Sequence, residues 1–442
     1  MLTHLGLKHV GPSDALEMEL SPRVNLITGD NGLGKSFLLD VAWWVLTRTW
    51  AHYPALPDPR ANEAAQITFA VGDAGASHAY ALGFDRSAQQ WKLARGRPPK
   101  HGMVLYARVD GGFSVWDPAR NYWRNAPTRG VVSPDRPAAF NFSPAEVWDG
   151  VARESGADRG RVEWLCEGLI RDWASWQREG GSSFAQLTRV LERLTPSADE
   201  PLVPGELTRI SLQDARDMPT LRMPYGSDVP LVHASAAVRR VVSLAYLLVW
   251  TWREHRRAAE LLGEEPTREV IFLIDEIEAH LFPAWQRRIL PSLMEVVRAL
   301  TEEEATVQLI VVTHSPMVLA SMEPHFDAGR DSLWYFDLQR PSPPTSGRAT
   351  VRLTKSEWHR HGDAAAWLRS EVFDLKEARS LEAERAIERA RAMMAGESTP
   401  TREAFDDVYL ALRRTMPGVD PFWVDWRVWA WGRGLLRPEA AE

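Results

Sequence analysis

The feature that most constrains the fold is the octapeptide GDNGLGKS at residues 29–36, which fits the pattern G-x-x-x-x-G-K-[ST]. An apolar β-prone run, residues 23–28, precedes it, and a continuously apolar stretch of helical length, residues 36–50, follows it. Glycines at these spacings let the backbone curl until successive N–H groups face one point. The sequence therefore predicts a phosphate-binding loop between a strand and a buried helix.

The loop also supplies side chains suited to a nucleotide and a metal. Lys35 is long enough to reach the β- and γ-phosphates, and the Ser36 hydroxyl is an oxygen ligand for Mg²⁺. We therefore expect ATP and Mg²⁺ as cofactors. The residues expected to bind the nucleotide are Gly29, Asp30, Asn31, Gly32, Gly34, Lys35, Ser36 and Phe37.

Two later apolar runs end in polar residues. Residues 271–274 lead into Asp275 and Glu276, and residues 308–312 lead into Thr313 and His314. Uniformly apolar strands are typical of a parallel sheet covered on both faces, whose carboxyl edge binds ligands. We expect Asp275 to hold the metal, Glu276 to polarise the attacking water and His314 to sense the γ-phosphate.

Composition restricts the setting. The chain has 442 residues, a net charge of −7 and a single cysteine, Cys166, which excludes an internal disulfide and a thiolate zinc cluster. No apolar run reaches the roughly 20 residues that span a bilayer. We therefore expect a cytoplasmic protein that has no membrane partner, and any contact with DNA has to be local.

The pattern along the chain predicts four regions. Residues 1–139 form an N-terminal lobe with the phosphate loop and an antiparallel meander from 66 to 116, and residues 140–230 form a helical insert with connecting strands. Within this insert, Ser143 and Glu146 form a capping box, and Ser182 or Ser183 caps a second helix. Residues 231–345 form the C-terminal lobe, and residues 346–442, which follow the turn-rich PSPPTSG, form a helical extension.

Together, GDNGLGKS, FLIDEIEAHLFP and VVTHSP resemble the ATP-binding-cassette class of ATPases, in the branch that includes SMC, RecF and OLD-type heads. The resemblance covers residues 24–316. It implies an α/β P-loop NTPase fold, arranged as a two-lobed head with an antiparallel β-meander lobe, a helical insert and a C-terminal helical extension. It also implies hydrolysis of ATP to ADP and phosphate.

In that class, a Ser-x-Gly signature at a helix start closes over the nucleotide of a second subunit. The matching segment is VHASAAVRRVVSLAYLLVW, in which Ser235 stands for the signature serine and Ala237 replaces the glycine. The resemblance implies an ATP-sandwiched homodimer or higher homo-oligomer, and Ala237 implies slow or partner-dependent hydrolysis. Gln66 is a candidate for the glutamine loop of the class, although it also reads as an ordinary residue entering a strand.

The compact size and the tail motif FDLKEARSLEAERAIERA look like the stand-alone ATPases of antiphage systems such as Septu and PARIS. That similarity implies a separate effector, for example a nuclease. The alternatives are a RecF-like DNA repair ATPase, a transporter subunit, or a scaffold that barely hydrolyses ATP. The five arginines that could form a basic surface for DNA are Arg239, Arg240, Arg253, Arg256 and Arg257. In the tail, Glu382 and Glu384 suit a salt-bridged surface helix better than a metal centre.

Overall fold

The structure is a computed structural model that describes residues 1–61, 63–73, 76–92, 100–122, 138–154, 160, 162–301, 305–341, 349–396 and 400–436. Its strands in chain order are β1 (Leu2–Lys8), β2 (Ala15–Glu19), β3 (Val24–Gly29), β4 (Gln66–Asp73), β5 (Ala76–Asp85), β6 (Gln90–Trp91), β7 (Met103–Ala107), β8 (Phe113–Trp116), β9 (Phe140–Phe142), β10 (Val151–Glu154), β11 (Val162–Cys166), β12 (Val203–Pro204), β13 (Thr220–Arg222), β14 (Asp228–Pro230), β15 (Glu269–Ile274), β16 (Thr306–Val312), β17 (Asp331–Gln339) and β18 (Thr350–Ser356).

The helices are α1 (Lys35–Thr47), α2 (Pro118–Asn121), α3 (Pro144–Asp149), α4 (Leu169–Glu179), α5 (Ser182–Arg193), α6 (Ala236–Leu262), α7 (Pro283–Gln286), α8 (Ile289–Leu300), α9 (Pro316–Met322), α10 (Ala364–Leu368), α11 (Leu381–Ala395), α12 (Arg402–Thr415) and α13 (Phe422–Gly432). None of these helices is both long and apolar enough to cross a bilayer.

The described chain divides into two compact units, Met1–Gly362 and Asp363–Glu442. The first unit includes β18, which follows the PSPPTSG segment and pairs antiparallel with β17. The second unit has a helical core in which α11, α12 and α13 bury side chains such as Ile387, Phe405 and Trp426. Burial of Trp423 and Trp426 in this core gives the Trp-rich segment of α13 a packing role.

The central sheet of the first unit has the order β18-β17-β3-β16-β15-β7-β8-β9. Its middle strands, β17, β3, β16, β15 and β7, run parallel, and antiparallel strands extend both edges. The apolar runs predicted at 271–274 and 308–312 are confirmed as the buried strands β15 and β16. Because they flank each other and β16 pairs with β3, the residues after these three strands lie at one sheet edge.

The antiparallel lobe is a second sheet of order β2-β1-β4-β5-β6. Helix α1 is buried along most of its length, as predicted, because its apolar residues join a core shared with both sheets. The strands predicted as a single meander from 66 to 116 are divided between two sheets. Strands β4 to β6 belong to the antiparallel lobe, but β7 joins the central sheet in parallel with β15, and β8 follows it there.

The insert is less helical than predicted between 143 and 195, because β10 and β11 form an antiparallel hairpin between α3 and α4. The capping box of Ser143 and Glu146 at the start of α3 is confirmed. The predicted serine cap of α5 is wrong. Gly181 occupies the N-cap position, and Ser182 already lies inside the first turn.

A buried polar chain connects the insert to α6. The Tyr246 hydroxyl donates a hydrogen bond to Asp172 Oδ2 over 2.7 Å and lies 3.2 Å from the Cys166 thiol. Burial raises the pKa of Asp172 to about 6, although the Tyr246 hydrogen bond opposes this shift. The charged form of Asp172 therefore lowers the free energy of unfolding at neutral pH.

We expect this cost to appear in the pH dependence of stability. Between pH 3.8, the ordinary pKa of aspartate, and about 6, the unfolded chain releases the proton that the folded chain keeps. The free energy of unfolding therefore falls as pH rises through this window. An amide side chain carries no charge at any of these pH values, so Asp172→Asn should gain about 1 kcal/mol over wild type between about pH 5 and about pH 7.5. Urea denaturation at both pH values measures this gain, and Asp199→Asn, at an exposed position, is the control. A gain that is independent of pH would contradict the assignment.

Candidate functional site

Two glycines of the loop after β3 hold positions that a side chain would block. Gly29 has φ +126°, and a Cβ there would lie 2.3 Å from the backbone oxygen of Phe336 on the neighbouring strand. Gly34 has φ +98°, and a Cβ there would lie 2.7 Å from the Pro12 ring. Both backbones are therefore glycine-dependent, and Gly34 caps α1 in the left-handed conformation. This geometry leaves the first N–H groups of α1 without helical acceptors, as an anion site requires.

Lys35, the first residue of α1, folds back over this loop. Its ammonium donates to the backbone oxygens of Gly29 over 2.9 Å and Asp30 over 2.6 Å, and its side chain is buried. Burial lowers the pKa of Lys35, while the carboxylates of Glu276 and Asp275 oppose the shift. The lysine thus contributes a positive charge inside the loop, close to both predicted acids.

Asp275 lies at the carboxyl end of β15 and is only 2% exposed. Its backbone N–H donates to Ala107 oxygen over 2.9 Å, and the Ser36 hydroxyl hydrogen-bonds its carboxylate. Burial raises the pKa of Asp275 to about 6, and the Ser36 bond opposes this shift. Its Oδ1 atom is buried and has no hydrogen-bond partner among the described residues. A hydroxyl beside an unpartnered carboxylate oxygen is a donor set that fits Mg²⁺.

Glu276 and His314 lie opposite each other at the same edge. Glu276 Oε1 is 3.6 Å from His314 Nε2, and both side chains are partly exposed. The His314 side chain also contacts the backbone of Gly29, so it connects the phosphate loop to the acid. Burial and the Lys35 charge lower the pKa of His314, which keeps its ring neutral at pH 7. The backbone of Glu276 has φ +48°, a sparsely populated conformation for a residue with a side chain.

Glu278 fixes the loop that carries His314, and the sequence analysis missed it. Its Oε1 accepts from the His314 backbone N–H over 2.5 Å, and its Oε2 accepts from the Thr313 hydroxyl over 2.7 Å. The signal was the second glutamate of the Asp-Glu-Ile-Glu run, which follows Glu276 by two residues. Glu278 is therefore a positioning residue for His314.

Arg240 was placed on a basic surface for DNA, and this interpretation is wrong. Its guanidinium donates to the backbone oxygens of Asp275 over 3.1 Å, Glu276 over 3.0 Å and Val109 over 3.0 Å. Burial lowers the pKa of Arg240, although the acid Asp275 opposes the shift. The side chain instead fixes the backbone that carries both acids.

Arg253 is also turned inward, because its guanidinium lies 5.3 Å from the centre of the Trp176 ring. Arg239, Arg256 and Arg257 are exposed on α6. The group of five arginines therefore does not form one continuous outward-facing surface.

The remaining predicted residues lie outside this cluster. Ser235 is exposed and caps α6 by accepting from the Val238 backbone N–H over 3.3 Å, and Ala237 follows in the first turn. Within the described residues, no contact joins Ser235 to residues 29–36. Asp30, Asn31 and Gly32 are exposed in the loop, and Phe37 packs on Gly11.

Two further candidates have ordinary surroundings. Gln66 begins β4 and pairs with Lys8 and Gly83 in the antiparallel lobe. Glu382 and Glu384 lie in the first turn of α11, where acids are stabilised by the helix dipole. Arg379, which we expected to contribute to the salt bridges of this helix, pairs instead with Glu377 and Asp420, outside α11.

Similarities to known proteins were found. Residues 102–320 match the family model described as "AAA domain, putative AbiEii toxin, Type IV TA system". Among solved structures, an SMC head domain from Thermotoga maritima is 16% identical, with 81% of this chain and 99% of that chain covered and a TM-score of 0.38. An SMC head bound to the C-terminal winged-helix domain of ScpA is 13% identical, with 80% and 98% covered and a TM-score of 0.39.

The fold is an α/β P-loop NTPase, because the glycine-dependent loop, the parallel strand order and the acids at the sheet edge occur together. The predicted fold class is thus confirmed, and residues 102–320 are similar to an AAA domain family.

Proposed function

We propose that the chain binds ATP with Mg²⁺ at the loop of residues 29–36 and hydrolyses it to ADP and phosphate. The observation that carries this proposal is the convergence of Lys35, Ser36, Asp275, Glu276 and His314 on one sheet edge. These residues come from the ends of the neighbouring parallel strands β15 and β16 and from the start of α1, which follows the adjacent strand β3.

Binding would exchange one set of Lys35 partners for another. The ammonium now donates to two backbone oxygens of the loop, and the β- and γ-phosphates offer it charged acceptors within the same reach. Ser36 and Asp275 would hold Mg²⁺, which neutralises phosphate charge. The unpartnered Oδ1 of Asp275 would then gain a ligand that compensates its burial.

Hydrolysis would depend on how firmly Glu276 is held. Arg240 fixes its backbone oxygen, and His314 limits the position of its carboxylate. Glu276 would orient and polarise the attacking water, and His314 would sense the γ-phosphate. Such positioning is the main contribution of a protein to phosphoryl transfer.

We further propose that ATP joins two heads through Ser235 and that hydrolysis separates them, so that a partner effector senses two states. The exposure of Ser235 at the start of the 27-residue helix α6 supports this role. The matched family's description names a toxin of a toxin–antitoxin system, which favours a role in antiphage defence over DNA repair. A nuclease is the leading candidate for the effector.

Glu276→Gln should retain ATP and abolish turnover. The amide keeps the size of the side chain but removes the base, so we expect the hydrolysis rate to fall about 100-fold or more, while ATP affinity stays within about threefold. Phosphate release and equilibrium nucleotide binding measure the two effects, and Glu260→Gln on the exposed face of α6 is the matched control. Loss of ATP binding in the variant, or turnover equal to wild type, would disprove the assignment.

Glu278→Ala should slow hydrolysis without preventing binding. Loss of the two hydrogen bonds that the Glu278 carboxylate accepts frees the loop of His314, and small displacements of catalytic groups cost up to about 100-fold in rate. We expect a roughly 10- to 100-fold lower turnover with little change in ATP affinity, measured in the same two assays. If ATP affinity fell as much as turnover, Glu278 would support the binding site rather than position His314.

Ser235→Arg should prevent ATP-dependent association. The bulky cation would block the closure of a second head over α6, while the loop of the same chain is untouched. In a Glu276→Gln background, light scattering with ATP should report a dimer that Ser235→Arg abolishes. Ser182→Arg, at the exposed start of α5, should leave the dimer intact. A monomer in the parent variant with ATP bound would refute the sandwich mechanism and leave the ATPase proposal standing.

A further inference from the structure

A cavity of about 270 Å³ lies next to the segment that carries Asp275 and Glu276. Its walls come from the first turns of α6, the β7–β8 turn and the residues after β15. We call it the rear cavity. It is larger than the roughly 150 Å³ apolar cavity that admits benzene. Its lining includes Val109, Phe113, Trp148, Arg239, Ser243 and Ile277.

Apolar side chains form most of the walls of the rear cavity. Phe113, Leu247, Ile274 and Ile277 line it, and each is exposed by 3% or less. The half-buried Trp148 adds an aromatic face. A planar apolar group could bury its surface against these walls, which is the usual source of affinity in small-molecule pockets.

The charge of the rear cavity is positive, and only part of it is compensated. Arg108 is satisfied by the Ser114 hydroxyl over 2.8 Å and by Phe142 oxygen over 2.7 Å, and it also pairs with Asp110. Arg240 is satisfied by three backbone oxygens. The side chain of Arg239 is exposed and makes no ion pair or hydrogen bond within the described part of the chain. An exposed guanidinium that makes no such interaction can form a bidentate ion pair with a carboxylate.

We propose that the rear cavity binds a small aromatic carboxylate, with its ring between Phe113, Trp148 and Ile277 and its carboxylate on Arg239. The Ser243 hydroxyl lies in the same lining and is a second polar contact. This site is separate from the ATP site and goes beyond the function proposed above.

Residues that line the rear cavity also hold or adjoin the acids of the proposed ATP site, so a ligand bound in the cavity can affect that site. Arg240 lines the cavity and donates to the backbone oxygens of Asp275 and Glu276. Ile277 lines it as well and directly follows Glu276, whose backbone has φ +48°. An occupant that shifts Arg240 or Ile277 therefore changes the placement of Glu276. We infer that binding at the two sites is coupled, and such coupling is reciprocal.

The test titrates the full chain without nucleotide by calorimetry, using 2-naphthoate as the anionic probe and 2-naphthamide as its neutral analogue. Arg239→Gln removes the charge at the rim, and Ser243→Leu fills the interior. Arg257→Gln is the matched control, because it changes another exposed arginine of the same helix, 18 positions further along α6.

We expect saturable binding of 2-naphthoate to wild type. Arg239→Gln should weaken it roughly three- to tenfold, because one partly exposed ion pair is lost. The affinity for 2-naphthamide should be the same in wild type and Arg239→Gln, Ser243→Leu should weaken both probes, and Arg257→Gln should change neither. The proposal is overturned if wild type binds neither probe, or if Arg257→Gln weakens 2-naphthoate as much as Arg239→Gln does.

The coupling is tested by measuring the affinity of wild type for a non-hydrolysable ATP analogue with and without saturating 2-naphthoate. We expect a change of about threefold or more, within the usual range of allosteric coupling. An unchanged affinity would refute the coupling. Because the first titration contains no nucleotide, its outcome is independent of whether the chain binds or hydrolyses ATP.

Discussion

The site depends on placing Asp275 and Lys35 together where water is largely excluded. Asp275 and Lys35 are both buried. Burial raises the pKa of Asp275 and lowers the pKa of Lys35, so it favours the neutral form of each side chain. Neither charge would be tolerated alone, because an isolated charge loses its hydration on burial. Their proximity offsets part of this cost, and a triphosphate with its metal would offset the rest. Binding of the proposed ligand would therefore stabilise the folded chain.

The backbone carries much of this organisation. The Asp275 N–H bonds to Ala107 on β7, the Thr313 N–H bonds to Ile27 on β3, and Arg240 holds the oxygens of Asp275 and Glu276. Each contact crosses from one parallel strand, or from α6, to the next. The positions of the candidate site side chains are therefore set by the register of the strands that carry them. The positive φ of Glu276 persists because these contacts hold it on both sides.

The sequence was sufficient for the parts of the structure that local chemistry determines. The loop of residues 29–36, the buried strands β15 and β16 and the burial of α1 follow from glycine spacing and from uniform apolarity. The division of the 66–116 strands between two sheets was not predicted, because the pairing of β7 with β15 is a contact over more than 160 residues. Periodicity identifies a strand, but it does not identify the partner of that strand.

Arg240 shows why side-chain roles were harder to predict than elements. Within the sequence it is one of five arginines on a long helix, and nothing distinguishes it from Arg239 beside it. Consecutive helical residues point about 100° apart, so one guanidinium reaches the backbone under Glu276 while its neighbour remains exposed at the rim of the rear cavity. The same rotation gives α6 both functions that we propose. Ser235 and Arg239 lie one turn apart and face outward, and Arg240 faces the acids. A ligand bound to Arg239 and a second head closed over Ser235 would therefore both contact the first two turns of α6.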